Sequence, residues 1–332
     1  PDEVEDQLEE YVRQSADNEL PRPTGDGIGK IEHNSNLAHF YAHFVRHTID
    51  TSLEGMTIVY DGANGAASSV GPEILAGLGA NVININVNPD GLNINHHCGS
   101  THIEGLQVAV QQHNADLGIA NDGDADRCLL VDEKGQVLDG DQIMLLCALK
   151  LKEEGKLKDD TVVGTVMSNI GFHKAAKELG MKTFATAVGD RYVLEYMREH
   201  NLSVGGEQSG HVIFLDHNTT GDGMLTAVQV AALMKEKNQP LSELAGIMTK
   251  YPQVLINVRV ATKTGWEDND IIKAAIVTAE GELGDEGRVL VRASGTEPLI
   301  RVMAEGPNQE ELQALCQEIA DIIGREQGLA EK

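Results

Sequence analysis

Apolar residues near the start of the chain recur at helical spacing. Val4, Leu8 and Val12 share one stripe of an otherwise acidic stretch, predicting an amphipathic helix over residues 1–19. Pro21-Arg22-Pro23-Thr24-Gly25-Asp26-Gly27 breaks the pattern and reads as a linker. Leu37, Phe40, Tyr41, Phe44, Val45 and Thr48 then restore the helical period. His39, His43 and His47 lie on a neighbouring stripe. Without a Glu at metalloprotease spacing, they read as solvated or capping side chains. From Met56 the pattern changes to short apolar runs alternating with helices: strands at 56–60, 81–85 and 117–120, and helices through 74–78 and over 103–113. A second such series follows, with strands at 161–167, 182–186 and 202–204 and helices over 170–179 and 189–200. This alternation favours mostly parallel sheets. Beyond Tyr251-Pro252 come a strand over 253–260, a helix over 268–279, strands at 288–292 and 299–304, and a last helix over 309–325.

The expected fold is therefore α/β: two consecutive α/β mixed-sheet domains, then a small α+β C-terminal domain with an antiparallel sheet. The expected divisions are 1–35, a remnant of an N-terminal domain with linker, then 36–138, 139–250 and 251–332.

Composition narrows the function. The chain has 332 residues, 41% of them hydrophobic, enough for two or three cored domains and against wholesale disorder. With 52 Asp+Glu against 26 Lys+Arg the formal net charge is −26, and no basic patch or stripe suggests a nucleic-acid or anionic-membrane partner. No apolar run reaches the roughly 20 residues of a membrane span. The acidic start is no secretory signal, and without an initiator Met the chain is expected to begin partway into a longer protein. Cys98, Cys128, Cys147 and Cys316 form no C-x-x-C pair and read as free thiols of a reducing, cytoplasmic setting.

Three loops carry candidate chemistry. In Asn121-Asp122-Gly123-Asp124-Ala125-Asp126-Arg127, alternate carboxylates in a curled loop converge on one hard cation, for which Mg²⁺ is suited. An EF-hand is excluded, because Arg127 stands where its loop requires Gly and a hairpin pattern follows. Gly205-Gly206-Glu207-Gln208-Ser209-Gly210-His211 offers Glu207 and Ser209 to vicinal sugar hydroxyls, with His211 as sugar contact or loop brace. Arg292-Ala293-Ser294-Gly295-Thr296-Glu297-Pro298-Leu299-Ile300-Arg301 combines two arginines, two hydroxyls and free backbone N–H groups into a phosphate cradle. A weaker fourth candidate, Gly189-Asp190-Arg191, opens a helix. There Arg191 could hold an anion, while Asp190 reads equally as a helix cap. A metal loop, a sugar loop and a phosphate loop together point to a phosphosugar enzyme with its site in a cleft.

Asp122-Gly-Asp-Ala-Asp-Arg127, Gly206-Glu-Gln-Ser-Gly-His211 and Arg292-Ala-Ser-Gly-Thr-Glu-Pro298 resemble, in the same order, the metal, sugar and phosphate loops of the α-D-phosphohexomutases. Gln208, Gly91-Leu92-Asn93-Ile94-Asn95 and Asn218-Thr219-Thr220-Gly221-Asp222-Gly223 resemble the phosphoglucosamine branch. The resemblance implies interconversion of glucosamine 6-phosphate and glucosamine 1-phosphate through a phosphoserine and a 1,6-bisphosphate, toward UDP-N-acetylglucosamine and peptidoglycan. It implies Mg²⁺ on Asp122, Asp124 and Asp126, and Arg127 at the transferring phosphate. Glu207, Ser209 and His211 would contact the sugar. Arg292, Ser294, Gly295, Thr296 and Arg301 would hold the other phosphate, with Gly189, Asp190 and Arg191 as further substrate contacts. The alternatives are a phosphomannose or phosphoglucose mutase and a non-catalytic phosphosugar-binding module. The expected partners are a phosphosugar and, for assembly, a second copy where the chain forms a homodimer. One departure is large: the family's Ser-His-Asn-Pro motif is absent from these residues, so the chain alone is expected to be nearly inactive. A smaller one is Ala125, where Gly is common.

Overall fold

The computed structural model describes residues 2–16, 20–34, 36–295 and 297–328. The chain divides into two compact units, Pro1–Phe40 and Tyr41–Lys332. The first contains α1 (Asp2–Ala16), where Arg13 pairs with Glu10 one turn earlier at 3.1 Å. Residues 17–19 of the expected helix lie outside the described residues. The following helix, α2 (Asn36–Arg46), ends in the second unit, where it buries Ala42 and Val45.

The second unit opens with an α/β series: β1 (Thr57–Asp61), α3 (Val70–Gly77), β2 (Asn81–Ile85), α4 (Glu104–His113), β3 (Leu117–Asn121), β4 (Cys128–Asp132) and β5 (Val137–Leu138). Its sheet has the order β2-β1-β3-β4-β5. The first three strands are parallel, and β4 and β5 run antiparallel. The change of direction is local: only residues 122–127 separate β3 from β4, too few for a crossover. β3 is buried along its whole length, as expected of a strand covered on both faces.

The series repeats after α5 (Gly140–Glu153) with β6 (Thr161–Thr165), α6 (Ile170–Glu178), β7 (Lys182–Thr186), α7 (Asp190–Glu199), β8 (Val204–Gly206) and β9 (Val212–Phe214), then α8 (Gly223–Lys237) and α9 (Leu241–Leu244). The second sheet, β7-β6-β8-β9, is parallel except for β9. β8 begins two residues later than the apolar pattern suggested. Ser203 instead ties down the segment between α5 and β6, its hydroxyl donating to Lys156 O and accepting from Lys158 N. α5 packs on strands of both sheets and on α8, which covers β3 and β4, so one apolar core runs from Ile58 and Leu117 to Val162 and Phe214.

The C-terminal part consists of β10 (Gln253–Arg259), α10 (Asp270–Leu283), β11 (Arg288–Ala293), β12 (Leu299–Glu305) and α11 (Gln309–Gln327). Its antiparallel sheet has the order β10-β12-β11 and its own core, in which Leu312, Leu315 and Ile319 face the strands. α10 starts later than expected because Asn269 caps it, accepting from the N–H groups of Ile271 and Ile272. The α/β class, the two mixed sheets and the small antiparallel sheet all match the sequence-based expectation.

Candidate active site

The acidic loop leaves the end of β3 and returns as β4. Asn121 closes its neck: Nδ2 donates to Arg127 O at 2.7 Å, and Oδ1 accepts from the Tyr60 hydroxyl at 3.0 Å. The loop's outer turn lies on the turn after β1, where Ala66 N donates to Gly123 O at 2.8 Å. A Cβ on Gly65 would stand 2.2 Å from that oxygen, so glycine is required for this approach. Gly223 N, at the start of α8, donates to Ala125 O at 3.0 Å.

This frame brings one carboxylate oxygen from each of Asp122, Asp124 and Asp126 within 4.8 Å of the others. Asp122 is buried, Asp126 half-buried and Asp124 exposed. Burial, and then the Asp126 charge, push the Asp122 carboxyl above the ordinary carboxylate range. Arg127 offers partial compensation: its Nε stands 3.6 Å from Asp122 and 3.9 Å from Asp126 and, though buried, has no hydrogen-bond partner among the described residues. Three hard oxygen donors that repel one another fit a divalent cation, and the unsatisfied cationic donor beside them fits an anion. Asp124 and Asp126 line a cleft of about 450 Å³ with Tyr41, Ala67, Asn218 and Thr220. A larger groove of about 1350 Å³, between β10 and α11, holds none of the sequence-predicted site residues.

The Glu207–His211 loop joins β8 to β9 and pairs with the acidic loop through the backbone. Cys128 N donates to Gly210 O at 2.9 Å, and Arg127 and His211 form an antiparallel bridge. The buried His211 ring completes the link. Its Nε2 accepts from Gly221 N at 3.0 Å, which leaves the proton on Nδ1 to be donated to Asp126 Oδ2 at 3.0 Å. Glu207 Oε1 accepts from Gly189 N at 3.0 Å, and Ser209 is exposed. Gly189, at a φ of 131° that favours glycine, is the N-cap of α7. Asp190 is the first helical residue, 3.7 Å from His211 Nε2. Arg191 Nε pairs with Glu195 at 2.8 Å.

The third loop spans β11 and β12. Arg292 and Arg301 face each other directly in the register, an arrangement of like charges that disfavours pairing without an anion. Partial burial, then Arg301, hold the Arg292 pKa below the usual guanidinium range. Arg301 Nε is buried without a hydrogen-bond partner among the described residues, although its Nη2 stands 3.6 Å from Glu297. Ser294 is buried and its Oγ accepts from Glu297 N, whereas Gly295 is exposed; Thr296 lies outside the described residues. Lys263 Nζ donates to Ser294 O at 2.7 Å and Gly295 O at 3.0 Å, adding a third cation.

The structure thus brings the acidic loop, the Glu207–His211 loop and Gly189-Asp190 into one connected constellation. Among the described residues, no hydrogen bond or ion pair joins the arginine loop to it. Sequence reasoning missed Asn121's clamp, although a polar residue ending a buried run was a signal. It also missed Lys263, whose link to the loop is purely tertiary.

The chain matches the models of three consecutive domains of the phosphoglucomutase/phosphomannomutase family: α/β/α domain II over residues 38–135, α/β/α domain III over 139–251 and the C-terminal domain over 255–322. It belongs to that family and is a phosphosugar mutase, an isomerase of the phosphotransferase kind. It is 54% identical over 328 residues to the phosphoglucosamine mutase of Symbiobacterium thermophilum, covering 98% of this chain and 72% of that one. It is 49% identical over 328 residues to the phosphoglucosamine mutase of Bacillus subtilis, covering 99% and 73%. A phosphoglucomutase/phosphomannomutase family protein from Burkholderia thailandensis shares the fold with a TM-score of 0.77 at 20% identity, over 98% of this chain and 71% of that one. The Aspergillus fumigatus N-acetylphosphoglucosamine mutase, solved with GlcNAc-6P and magnesium, does so with a TM-score of 0.66 at 23% identity, over 85% and 68%.

Proposed function

We propose that this mutase chain acts on glucosamine 6-phosphate and glucosamine 1-phosphate, with Mg²⁺ as its metal and the cytoplasm as its location. The observation that carries the site assignment is the convergence of Asp122, Asp124 and Asp126 within 4.8 Å beside Arg127. Identities near 50% to phosphoglucosamine mutases support the choice of sugar. A divalent ion held there would neutralise charge on the transferring phosphate, the main demand of phosphoryl transfer. Arg127 adds a fixed cation at that point. His211 keeps Asp126 oriented, and Glu207, itself set by Gly189 N–H, receives a sugar hydroxyl together with Ser209. Arg292, Arg301, Ser294, Gly295 and Thr296 grip the phosphate that is not transferred. A bisphosphate turned end for end presents the same groups to both grips, so the two sites serve both directions. The phosphoserine donor of such a cycle has no Ser-His-Asn-Pro counterpart in these residues.

Calorimetry with Mg²⁺ and the 6-phosphates of glucosamine, mannose and glucose tests the reading. Glucosamine 6-phosphate is expected to bind most tightly; preference for mannose or glucose would reassign the substrate. Arg292→Ala is expected to weaken binding by about 1.5–3 kcal/mol, the scale of a charged hydrogen bond. Unchanged affinity would remove this loop from the site.

A further inference from the structure

The C-terminal sheet has an apolar core of its own, and its junction with the α/β part is polar. At the centre is Glu305, the last residue of the middle strand β12, with a fully buried side chain. Register places Gln253 on one side and Arg288 on the other. Both donate to it: Gln253 Nε2 to Oε1 at 2.9 Å and Arg288 Nε to Oε2 at 2.7 Å. The start of α6 supplies the other two donors, Ile170 N to Oε2 at 3.0 Å and Asn169 Nδ2 to Oε1 at 3.3 Å. Arg288 crosses the same junction again, Nη2 donating to Ser168 O at 2.5 Å. Asn169 also holds the connecting segment, accepting from Tyr251 N and donating to Tyr251 O, both at 3.0 Å.

A buried carboxylate is tolerated only when it is paired and its lone pairs are filled. Half of the donors to Glu305 come from the C-terminal sheet and half from the first turn of α6, whose dipole also favours a negative charge. The carboxylate is therefore fully satisfied in one relative orientation of the two parts, and any slip at the joint strands a charge away from water.

We propose that Glu305 and Arg288 are positioning residues that fix the angle at which the far end of β11, with Arg292 and Ser294, is presented to the phosphosugar. The two strands act as a lever. Arg288 starts β11 at the joint and Ser294 follows its far end. Six steps at about 3.4 Å each put Ser294 about 20 Å from the pin. A slip of about 10° over that length moves it about 3 Å, well beyond the ~1 Å misplacement that costs about a hundredfold in rate. The inference rests on the phosphate-loop reading above.

The test uses the whole 332-residue chain. Glu305→Gln keeps the shape but turns a donor toward a donor. Arg288→Lys keeps the charge beside Glu305 but cannot serve Ser168 O as well. Glucosamine 6-phosphate affinity is expected to fall at least tenfold in Glu305→Gln and less in Arg288→Lys, with Mg²⁺ affinity unchanged in both. Amide exchange should rise at residues 169–171 and 251–253 while the cores of the three sheets stay protected. Wild-type affinity and exchange in a variant of either kind would overturn the proposal. If Glu305→Gln loses protection throughout the C-terminal sheet, Arg288→Lys decides alone. If Arg292→Ala leaves binding intact, the phosphate-loop reading fails, and the exchange pattern still tests the pin.

Discussion

The sharpest single-residue statement concerns His211. Both ring nitrogens are engaged, one by Gly221 N–H and the other by Asp126, so the ring fixes a proposed metal ligand. Partners of this kind typically contribute 10–100-fold to metal affinity. His211→Ala is expected to weaken Mg²⁺ binding by about that factor, and His211→Asn, whose amide can replace the Nδ1–H donor, to recover part of it. Calorimetric titration with MgCl₂ checks this; equal affinity in all three proteins would reduce His211 to a packing residue. The motif around His211 was readable because glycines and polar side chains cluster between two apolar runs. Its connection to Asp126 was not, because 85 residues separate them and only the antiparallel return of β4 and β9 closes the gap. Ser209 and Gly295, both exposed, were legible by type alone, and only Gly295 gains a described partner, the Lys263 ammonium on its carbonyl.

Among the helices and strands, the start of α6 carries the most consequence, since it meets Glu305 on one side and Asp141 on the other. Asp141, in the first turn of α5, accepts from Asn169 N at 2.7 Å, while its Oδ1 is buried with no partner among the described residues. Burial, reinforced by Asp139, pushes its carboxyl up to about 7. Glu305 adds repulsion across the joint, and Lys250 is committed to Asp139 at 2.5 Å. Because the folded pKa lies above the unfolded one, the folded state holds the extra proton. Stability attributable to Asp141 is present below about pH 4 and is lost as pH rises to about 7. Asp141→Asn is expected to remove that loss, raising stability at pH 8 by a few kcal/mol and flattening the slope between pH 4 and 7. Urea unfolding at a series of pH values reads this, and an unchanged slope would contradict it. Composition could not have suggested any of it, since Asp141 stands in the sequence as an ordinary first-turn acid. The elements themselves were legible because β1, β3 and β6 are short buried apolar runs separated by helices of clear period. The ends were less so where side chains decide them, as Ser203 does before β8 and Asn269 does before α10.

The net charge of −26 and the presence of four of the eleven arginines, Arg127, Arg191, Arg292 and Arg301, in or beside the site loops describe one design. A net charge of this size disfavours polyanions, while a small phosphorylated ligand can reach the local cationic groups. In the proposed reading those groups serve binding and charge stabilisation, but phosphoryl transfer also needs a hydroxyl in line with the phosphorus. Among the described residues, no serine hydroxyl is hydrogen-bonded to Asp122, Asp124 or Asp126, and the sequence contains no Ser-His-Asn-Pro segment. The 332-residue chain is therefore expected to bind glucosamine 6-phosphate in a Mg²⁺-dependent way and yet to turn it over at the background rate, even with glucose 1,6-bisphosphate as activator. A coupled assay for glucosamine 1-phosphate, run beside calorimetry on the same sample, separates the two properties. Binding without turnover is the expected result. Robust turnover would mean that a serine within this chain becomes phosphorylated, and mass spectrometry of the bisphosphate-treated protein would then identify it.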